Sequence, residues 1–97
     1  MKRFVFAVRD RATVTFLDPF CVVAKGEAER AFRDAINNPE SRLGKHPEDY
    51  DLFELGSFDD GTGMYEVRVP EQVSVGKNVL QAARVSRVQE DGLRVVS

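Results

Sequence analysis

Residues 50–69 constrain the fold of this chain more than any other segment, because they predict a β-hairpin. Residues 50–58 are rich in the aromatic and apolar residues of a long strand. The turn Asp59-Asp60-Gly61-Thr62-Gly63 follows, and its two glycines can adopt positive φ angles. Beyond it Tyr65, Val67 and Val69 alternate with Met64, Glu66 and Arg68, and we expect Pro70 to close the hairpin.

A second hairpin is predicted at the start of the chain. Residues 2–10 alternate with a period of two, with Phe4, Phe6 and Val8 on one side and Val5, Ala7 and Arg9 on the other. Residues 13–17 form its second strand, which ends at Asp18-Pro19. Residues 20–23 are either a brief strand or a buried approach to a helix, and Cys21 among them is expected to be a buried, inert thiol.

The clearest helix is predicted at residues 27–37, where Phe32 and Ile36 lie on the apolar face and are expected in the core. Gly26 is the expected N-cap, and Asn37-Asn38-Pro39 supplies a C-terminal residue that tolerates left-handed geometry, and a stop. Near the C-terminus we expect a helix at residues 76–84 and then a strand or an extended arm; alternatively residues 71–97 form an extended arm. The fold class is therefore α+β, a small single domain spanning residues 1–97, in which an antiparallel sheet of two hairpins packs on one main helix.

Composition narrows the class of protein. The chain has 97 residues, one cysteine and 42% hydrophobic residues, which fits one globular domain in a reducing cytoplasm. No apolar run is long enough to span a bilayer, and nothing resembles a signal peptide, so no membrane partner is expected. The net charge of −2 is unevenly distributed, with +3 in residues 1–45, −6 in residues 46–70 and +1 in residues 71–97.

No reactive constellation is evident in the sequence. Asp59 and Asp60 lack the alternating ligands of a calcium loop, and turn formation explains them better. His46 lies near Glu48, Asp49 and Asp51 in the sequence. It is the only histidine, so no second imidazole is available for a metal site or an acid–base pair. We therefore expect no catalytic residue, no metal site, no cofactor and no enzymatic activity.

The sequence favours nucleic-acid binding over catalysis. A sheet that displays aromatic side chains and is edged by Lys and Arg can stack single-stranded bases and neutralise phosphates. Phe4 or Tyr65 could stack bases. The pattern alone, however, favours the alternative in which Phe4 and Phe6 face the core and the arginines are ordinary solvated charge. The predicted nucleic-acid-binding residues are Lys2, Arg3, Arg9, Arg11, Arg84 and Arg87. The predicted protein-interaction residues are Glu48, Asp49, Asp59 and Asp60 in the acidic middle third.

Several motifs resemble a known family. They are Met1-Lys2-Arg3-Phe4, Asp18-Pro19-Phe20, the helix around residues 28–32, the run from His46 to Gly56 (HPEDYDLFELG) and the run from Phe58 to Gly63 (FDDGTG). In this order they resemble the small nonstructural protein of gokushoviruses, tailless microviruses of bacteria with circular single-stranded DNA. The resemblance covers about residues 1–70. It implies a protein that acts in the host bacterial cytoplasm, is absent from the mature virion, and binds DNA or assists single-stranded genome synthesis and packaging.

Two functions follow as hypotheses. The first is an accessory protein that binds single-stranded DNA. The second is an adaptor that uses the acidic hairpin to contact a viral replication or procapsid protein or a host factor. Both favour a homo-oligomer, because an exposed sheet edge is readily completed by a second copy.

Overall fold

The computed structural model describes residues 1–81, which form a five-stranded antiparallel sheet packed on helices. β1 pairs along its length with β4, and β4 pairs with β5, while the short β2 and β3 both pair with β1. The strands are β1 (Lys2–Asp10), β2 (Thr15–Phe16), β3 (Phe20–Val22), β4 (Tyr50–Asp59) and β5 (Met64–Val75). The predicted α+β class, with two hairpins on one main helix, is confirmed.

The helices pack on one side of the sheet. α1 (Lys25–Asn37) is the main helix, and the short α2 (Arg42–Lys45) and α3 (Gly76–Val79) flank it; a 3-10 turn at Pro47–Asp49 leads into β4. The fully or almost fully buried residues that form the core cluster are Phe6, Val8, Ala28, Phe32, Ile36, Tyr50 and Leu52. The predicted core positions Phe32 and Ile36 are confirmed. No helix within residues 1–81 is long and apolar enough to cross a membrane.

Cross-strand pairing divides the sheet into two faces, because directly opposite residues of antiparallel strands point to the same side. We call the side packed on α1 the helix face; Phe6 and Val8 lie there. The opposite side, which no helix covers within residues 1–81, we call the open face. The strand registers assign the following residues to the open face: Arg3, Val5, Ala7, Arg9, Phe16, Cys21, Asp51, Phe53, Gly56, Phe58, Tyr65 and Val67.

A bulge interrupts β4 at Leu55. Val5 pairs with Gly56 whereas Phe6 pairs with Glu54, so Leu55 is the extra residue. Gly56 has a φ of 155°, and a Cβ at this position would lie 2.0 Å from the carbonyl oxygen of Glu66. The close approach of β5 therefore requires glycine here.

Pro70 does not close the second hairpin, so that prediction was wrong. β5 continues to Val75, because it is an outer strand and residues 68–70 fall between two registers, with Val67 opposite Gly56 and Glu71 opposite Glu54. A missing N–H is tolerated in such an irregular stretch of an edge strand.

Cys21 is exposed, which corrects the prediction of a buried thiol. It pairs with Val5 and so points to the open face, while its neighbours Phe20 and Val22 point toward the core. The strand alternation overrides the apolar character of the local sequence.

The predicted N-cap of α1 was also wrong, whereas the predicted stop of the helix at Asn37-Asn38-Pro39 is confirmed. The helix begins at Lys25 after an extended Ala24, whose carbonyl accepts the Glu27 N–H, so Gly26 lies inside the first turn. At the other end Asn38 is extended rather than left-handed (φ −94°, ψ 107°), as expected for a residue that precedes proline.

The C-terminal prediction is only partly covered by the structure. Residues 71–75 belong to β5 and residues 76–79 to α3, so an extended arm does not begin at residue 71. The remainder of the predicted helix at 76–84, and the terminal strand or arm after it, fall outside the described residues.

Candidate nucleic-acid interface

Four aromatic rings lie on the open face in two contacting pairs. Phe16 and Phe53 meet edge to face with their centroids 5.3 Å apart, and Phe58 and Tyr65 are tilted with centroids 4.7 Å apart. Phe16 is 43% exposed and Tyr65 is 64% exposed, whereas Phe53 and Phe58 are half-buried. The face therefore offers two accessible rings, each in contact with a second, half-buried ring.

The small residues between these rings are buried. Ala7 is completely buried opposite Phe53, and Val5 is nearly so. A shallow apolar pocket of about 190 Å³ lies beside Tyr65, and its lining includes Val5, Pro19, Leu55, Tyr65 and Val67. The floor of the open face between the two aromatic pairs is thus apolar, and its buried residues add almost no exposed surface of their own.

Arginines stand at both ends of this surface. The Arg9 guanidinium lies 6.0 Å from the centroid of the Phe16 ring, and Arg9 has no ion pair among residues 1–81. Arg11 donates to the buried Asp51 through two of its guanidinium nitrogens, with Nε to Oδ2 at 2.7 Å and Nη2 to Oδ1 at 2.8 Å. These hydrogen bonds raise the pKa of Arg11. Arg9 is therefore the freer of the two cations at this end.

At the other end Arg3 also lies on the open face, but it is paired. Its Nε donates to Oδ2 of Asp60 at 3.0 Å. Arg3 and Arg9 are six residues apart on one strand, or about 20 Å at 3.3 Å per residue. A phosphate backbone that met both would cross the aromatic surface between them.

Two other predicted contacts lie elsewhere. Lys2 pairs with Asp59 on the helix face, and its ammonium lies 5.8 Å from the centroid of Phe4. Phe4 itself packs against the core cluster, with Lys25 5.1 Å from its ring on the same side. Neither belongs to the open face. Arg84 and Arg87 lie outside the described residues.

The acidic residues predicted to bind a protein partner lie at opposite ends of β4. Glu48 and Asp49 are in the 3-10 turn before it, and Asp59 and Asp60 are at its end and in the following turn. Ten residues of strand separate them by about 30 Å. They do not form one surface.

The turn acids are engaged within the chain. Asp59 accepts the Gly61 N–H at 2.8 Å, and this hydrogen bond lowers the pKa of Asp59. Asp60 accepts from the Met1 amino group at 2.7 Å as well as from Arg3, and these contacts lower the pKa of Asp60. The charge at this end of the hairpin is largely compensated.

At the other end, ligand atoms of His46, Glu48 and Asp49 lie within 4.8 Å of one another. His46 and Glu48 are exposed and Asp49 is half-buried. Exposed acids often cluster without binding an ion, so this proximity alone does not establish a metal site.

A buried carboxylate fixes the hairpin relative to α1. Glu54, on the helix face of β4, receives Lys25 Nζ at 2.9 Å on one oxygen and Arg68 Nη2 at 2.8 Å on the other. Burial opposes the ionisation of Glu54, but the hydrogen bonds from Lys25 and Arg68 outweigh it and lower its pKa. The three charges tie the start of α1 to β5 and so hold the outer part of the open face in place.

Sequence reasoning missed Phe16, Phe53 and Phe58 as members of the site. Phe53 and Phe58 are an odd number of residues apart, so regular alternation would put them on opposite faces. The extra residue Leu55 brings them to the same face. Gly56 in the middle of a strand was the one available signal of a bulge.

The chain matches the Phage ORF5 protein family over residues 3–79. No curated protein and no solved structure matches it significantly. The matched segment contains the sheet except for its first residue, Lys2, together with α1 and every residue assigned to the open face, and it covers more than half of the chain. The chain therefore belongs to the Phage ORF5 protein family, a family of bacteriophage proteins.

Proposed function

We propose that this protein is a phage accessory protein that binds single-stranded DNA on its open face and assists genome synthesis or packaging. The observation that carries the proposal is the pairing of two accessible rings, Phe16 and Tyr65, with arginines on the same uncovered face. Unpaired bases stack on such rings whatever their sequence, and the arginines neutralise phosphates.

The net charge of −2 does not exclude this function, because the acids are not distributed over the binding surface. Asp51 is the acidic residue that register places on the open face, and Arg11 neutralises it. The uncompensated positive charge at this face is therefore that of Arg9, while Arg3 contributes a cation whose charge Asp60 partly neutralises.

The resemblance to gokushoviruses gives the proposal its biological setting. Membership of a phage family agrees with it in general terms. On this proposal the protein acts in the host bacterial cytoplasm while the single-stranded genome is made or packaged, and it is not retained in the virion. It uses no cofactor and performs no catalysis.

The adaptor hypothesis is the weaker alternative. It needs an acidic surface free to meet a basic partner, but Asp60 is bound by Arg3 and the four acids are split between the two ends of β4. A pull-down that depends on Glu48 and Asp49, from a protein that does not bind DNA, would favour the adaptor.

The test is a fluorescence anisotropy titration of a labelled oligothymidylate at several salt concentrations. We expect binding at low salt that weakens as salt rises, because phosphate neutralisation releases counterions. Arg9→Gln should make the slope of log K against log salt shallower by about 0.7. Arg30→Gln, which removes the same charge from the exposed side of α1, should leave the slope unchanged. Absence of binding at low salt, or an affinity indifferent to salt, would refute the proposal.

A further inference from the structure

The outer edge of β5 is unusual in exposing a row of large apolar side chains. Within residues 1–81 β5 pairs with β4 on one side and has no strand on the other. The residues that stand out are Met64 (70% exposed), Tyr65 (64%), Val67 (82%) and Val69 (87%). An exposed apolar edge of this kind is a template for another strand.

The sequence of this edge is complementary to itself. When two copies of β5 run antiparallel with Val67 opposite Val67 of the second copy, Glu66 comes opposite Arg68 and Tyr65 comes opposite Val69. Opposite charges and aromatic with β-branched residues are both favourable cross-strand pairs. We propose that two copies of this protein join through β5 in this register and form one continuous sheet.

The charges on the edge are available for this pairing. Glu66 is exposed and has no ion pair among residues 1–81. Arg68 is held in place by one contact to Glu54, and its side chain remains 48% exposed. A guanidinium has five N–H donors, so the same Arg68 can bind a second carboxylate. Each copy thus presents one positioned cation and one free anion to the other.

Pro70 limits the length of the contact. In the proposed register it stands opposite Met64 of the second copy, so that the paired segment is Met64–Pro70 in each chain. Proline has no N–H to continue a ladder beyond that point. The contact is therefore short and closed, and it does not lead to open-ended stacking of strands.

The pairing would place both open faces on the same side of the joined sheet. Directly opposite residues share a face, so Tyr65 and Val67 of the two copies lie together. The aromatic surface is then doubled across the two-fold axis. The self-association does not depend on the proposed DNA binding and is measured without DNA.

A disulfide scan tests the register. In a Cys21→Ser background, Val67→Cys places two thiols at the two-fold axis with Cα atoms about 4.5–5.5 Å apart, within disulfide range. Val69→Cys is the matched control, because it is equally exposed but its two copies lie about 14 Å apart. Under mild oxidation we expect a covalent dimer from the first variant and little from the second. A mixture of the Tyr65→Cys and Val69→Cys chains should crosslink, although neither does so alone. Equal crosslinking of the position 67 and position 69 variants would overturn the register.

Sedimentation equilibrium without DNA tests the association itself. We expect a dimer at tens of micromolar protein, as an order of magnitude for a short interface. Glu66→Lys puts like charges opposite each other twice and should raise the dimer Kd about tenfold. Glu29→Lys makes the same charge change on the exposed side of α1 and should leave the Kd unaltered. A strict monomer at these concentrations, or equal effects of the two substitutions, would overturn the proposal.

Discussion

Arg3 and Asp60 form an ion pair between the start of β1 and the turn that follows β4, with Nε 3.0 Å from Oδ2. The sequence placed these residues in two separate sites, one for DNA and one for a protein partner. Their pairing follows from the register of β1 and β4, which puts Lys2 opposite Asp59 and Arg3 opposite Phe58. The basic start of the chain and the acidic turn therefore compensate each other.

Asp60→Asn should strengthen binding of single-stranded DNA. The substitution frees Arg3 and removes a negative charge from the end of the open face. The gain should be at most about fivefold at low salt, because the charges are exposed to water. Anisotropy titrations measure it. Asp34→Asn removes the same charge from the exposed side of α1, and an equal gain there would mean that only net charge matters.

Glu54→Gln should lower the free energy of unfolding by about 1–3 kcal/mol at neutral pH, because Lys25 and Arg68 lose their shared carboxylate. The loss stays below that of a fully buried pair, since both cations are about half exposed. Urea unfolding followed by circular dichroism gives the value. Glu71→Gln changes an exposed residue opposite Glu54 and should alter stability by less than about 0.5 kcal/mol. A Glu54→Gln protein as stable as the parent would contradict the role of the ion pairs.

The Glu54 carboxylate also makes the free energy of unfolding depend on pH, and the direction of its pKa shift fixes the sign of that dependence. The pKa of Glu54 lies below its ordinary value of 4.5 in the folded protein, so the folded state holds fewer protons than the unfolded state. Its stabilising contribution is present above pH 4.5 and is lost as the pH falls through the lower folded pKa. The stability difference between the parent and Glu54→Gln should therefore shrink in acid. A difference that stays constant between neutral pH and pH 3 would refute this linkage.

Gly56→Ala should destabilise the fold by at least about 2 kcal/mol, because the new Cβ combines an unfavourable φ with a clash against the Glu66 carbonyl. Gly26→Ala is the matched control. Gly26 lies in the first turn of α1 with no atom near its missing Cβ, and alanine there should stabilise by about 0.5 kcal/mol. Thermal unfolding compares the two. A Gly56→Ala protein with a Tm equal to or above that of the parent would show that the bulge does not depend on glycine.

Tyr65→Ala should weaken DNA binding by about 5- to 150-fold, since one stacked base contributes about 1–3 kcal/mol. Tyr65 is largely exposed, so its loss should not unfold the sheet. Tyr65→Phe keeps the ring and should bind as the parent does. Anisotropy titrations at one low salt concentration compare the three proteins, and equal weakening by both substitutions would assign the effect to the hydroxyl rather than to stacking.

Much of the fold could be predicted from the hydrophobic periodicity of the sequence and from its turn-forming residues. The alternation of β1, the Phe32 and Ile36 spacing of α1 and the Asp-Gly turn before β5 each determine a local structure directly. The sidedness of the site could not be predicted, because it depends on the β4 bulge at Leu55, which brings Phe53 and Phe58 to one face. Long-range strand pairing also explains why Cys21 is exposed, because it lies opposite Val5 on the open face.

The ion pairs between distant residues could not be predicted from the sequence either. Arg11 and Asp51 are forty residues apart, and Arg3 and Asp60 are fifty-seven apart. Only the register of β1 on β4 brings each pair together. Local counts of charge therefore identified the basic and acidic segments correctly but assigned them to separate surfaces.

The most direct measurement is the fluorescence of Tyr65 during a titration with oligothymidylate. The chain has two tyrosines and no tryptophan, and Tyr50 is buried. Tyr50→Phe, which gives up one hydrogen bond from Arg42, therefore leaves Tyr65 as the sole tyrosine emitter. A base stacked on this ring should quench the emission, and added salt should restore it as the DNA dissociates. Emission that stays unchanged while anisotropy reports bound DNA would contradict binding on the open face.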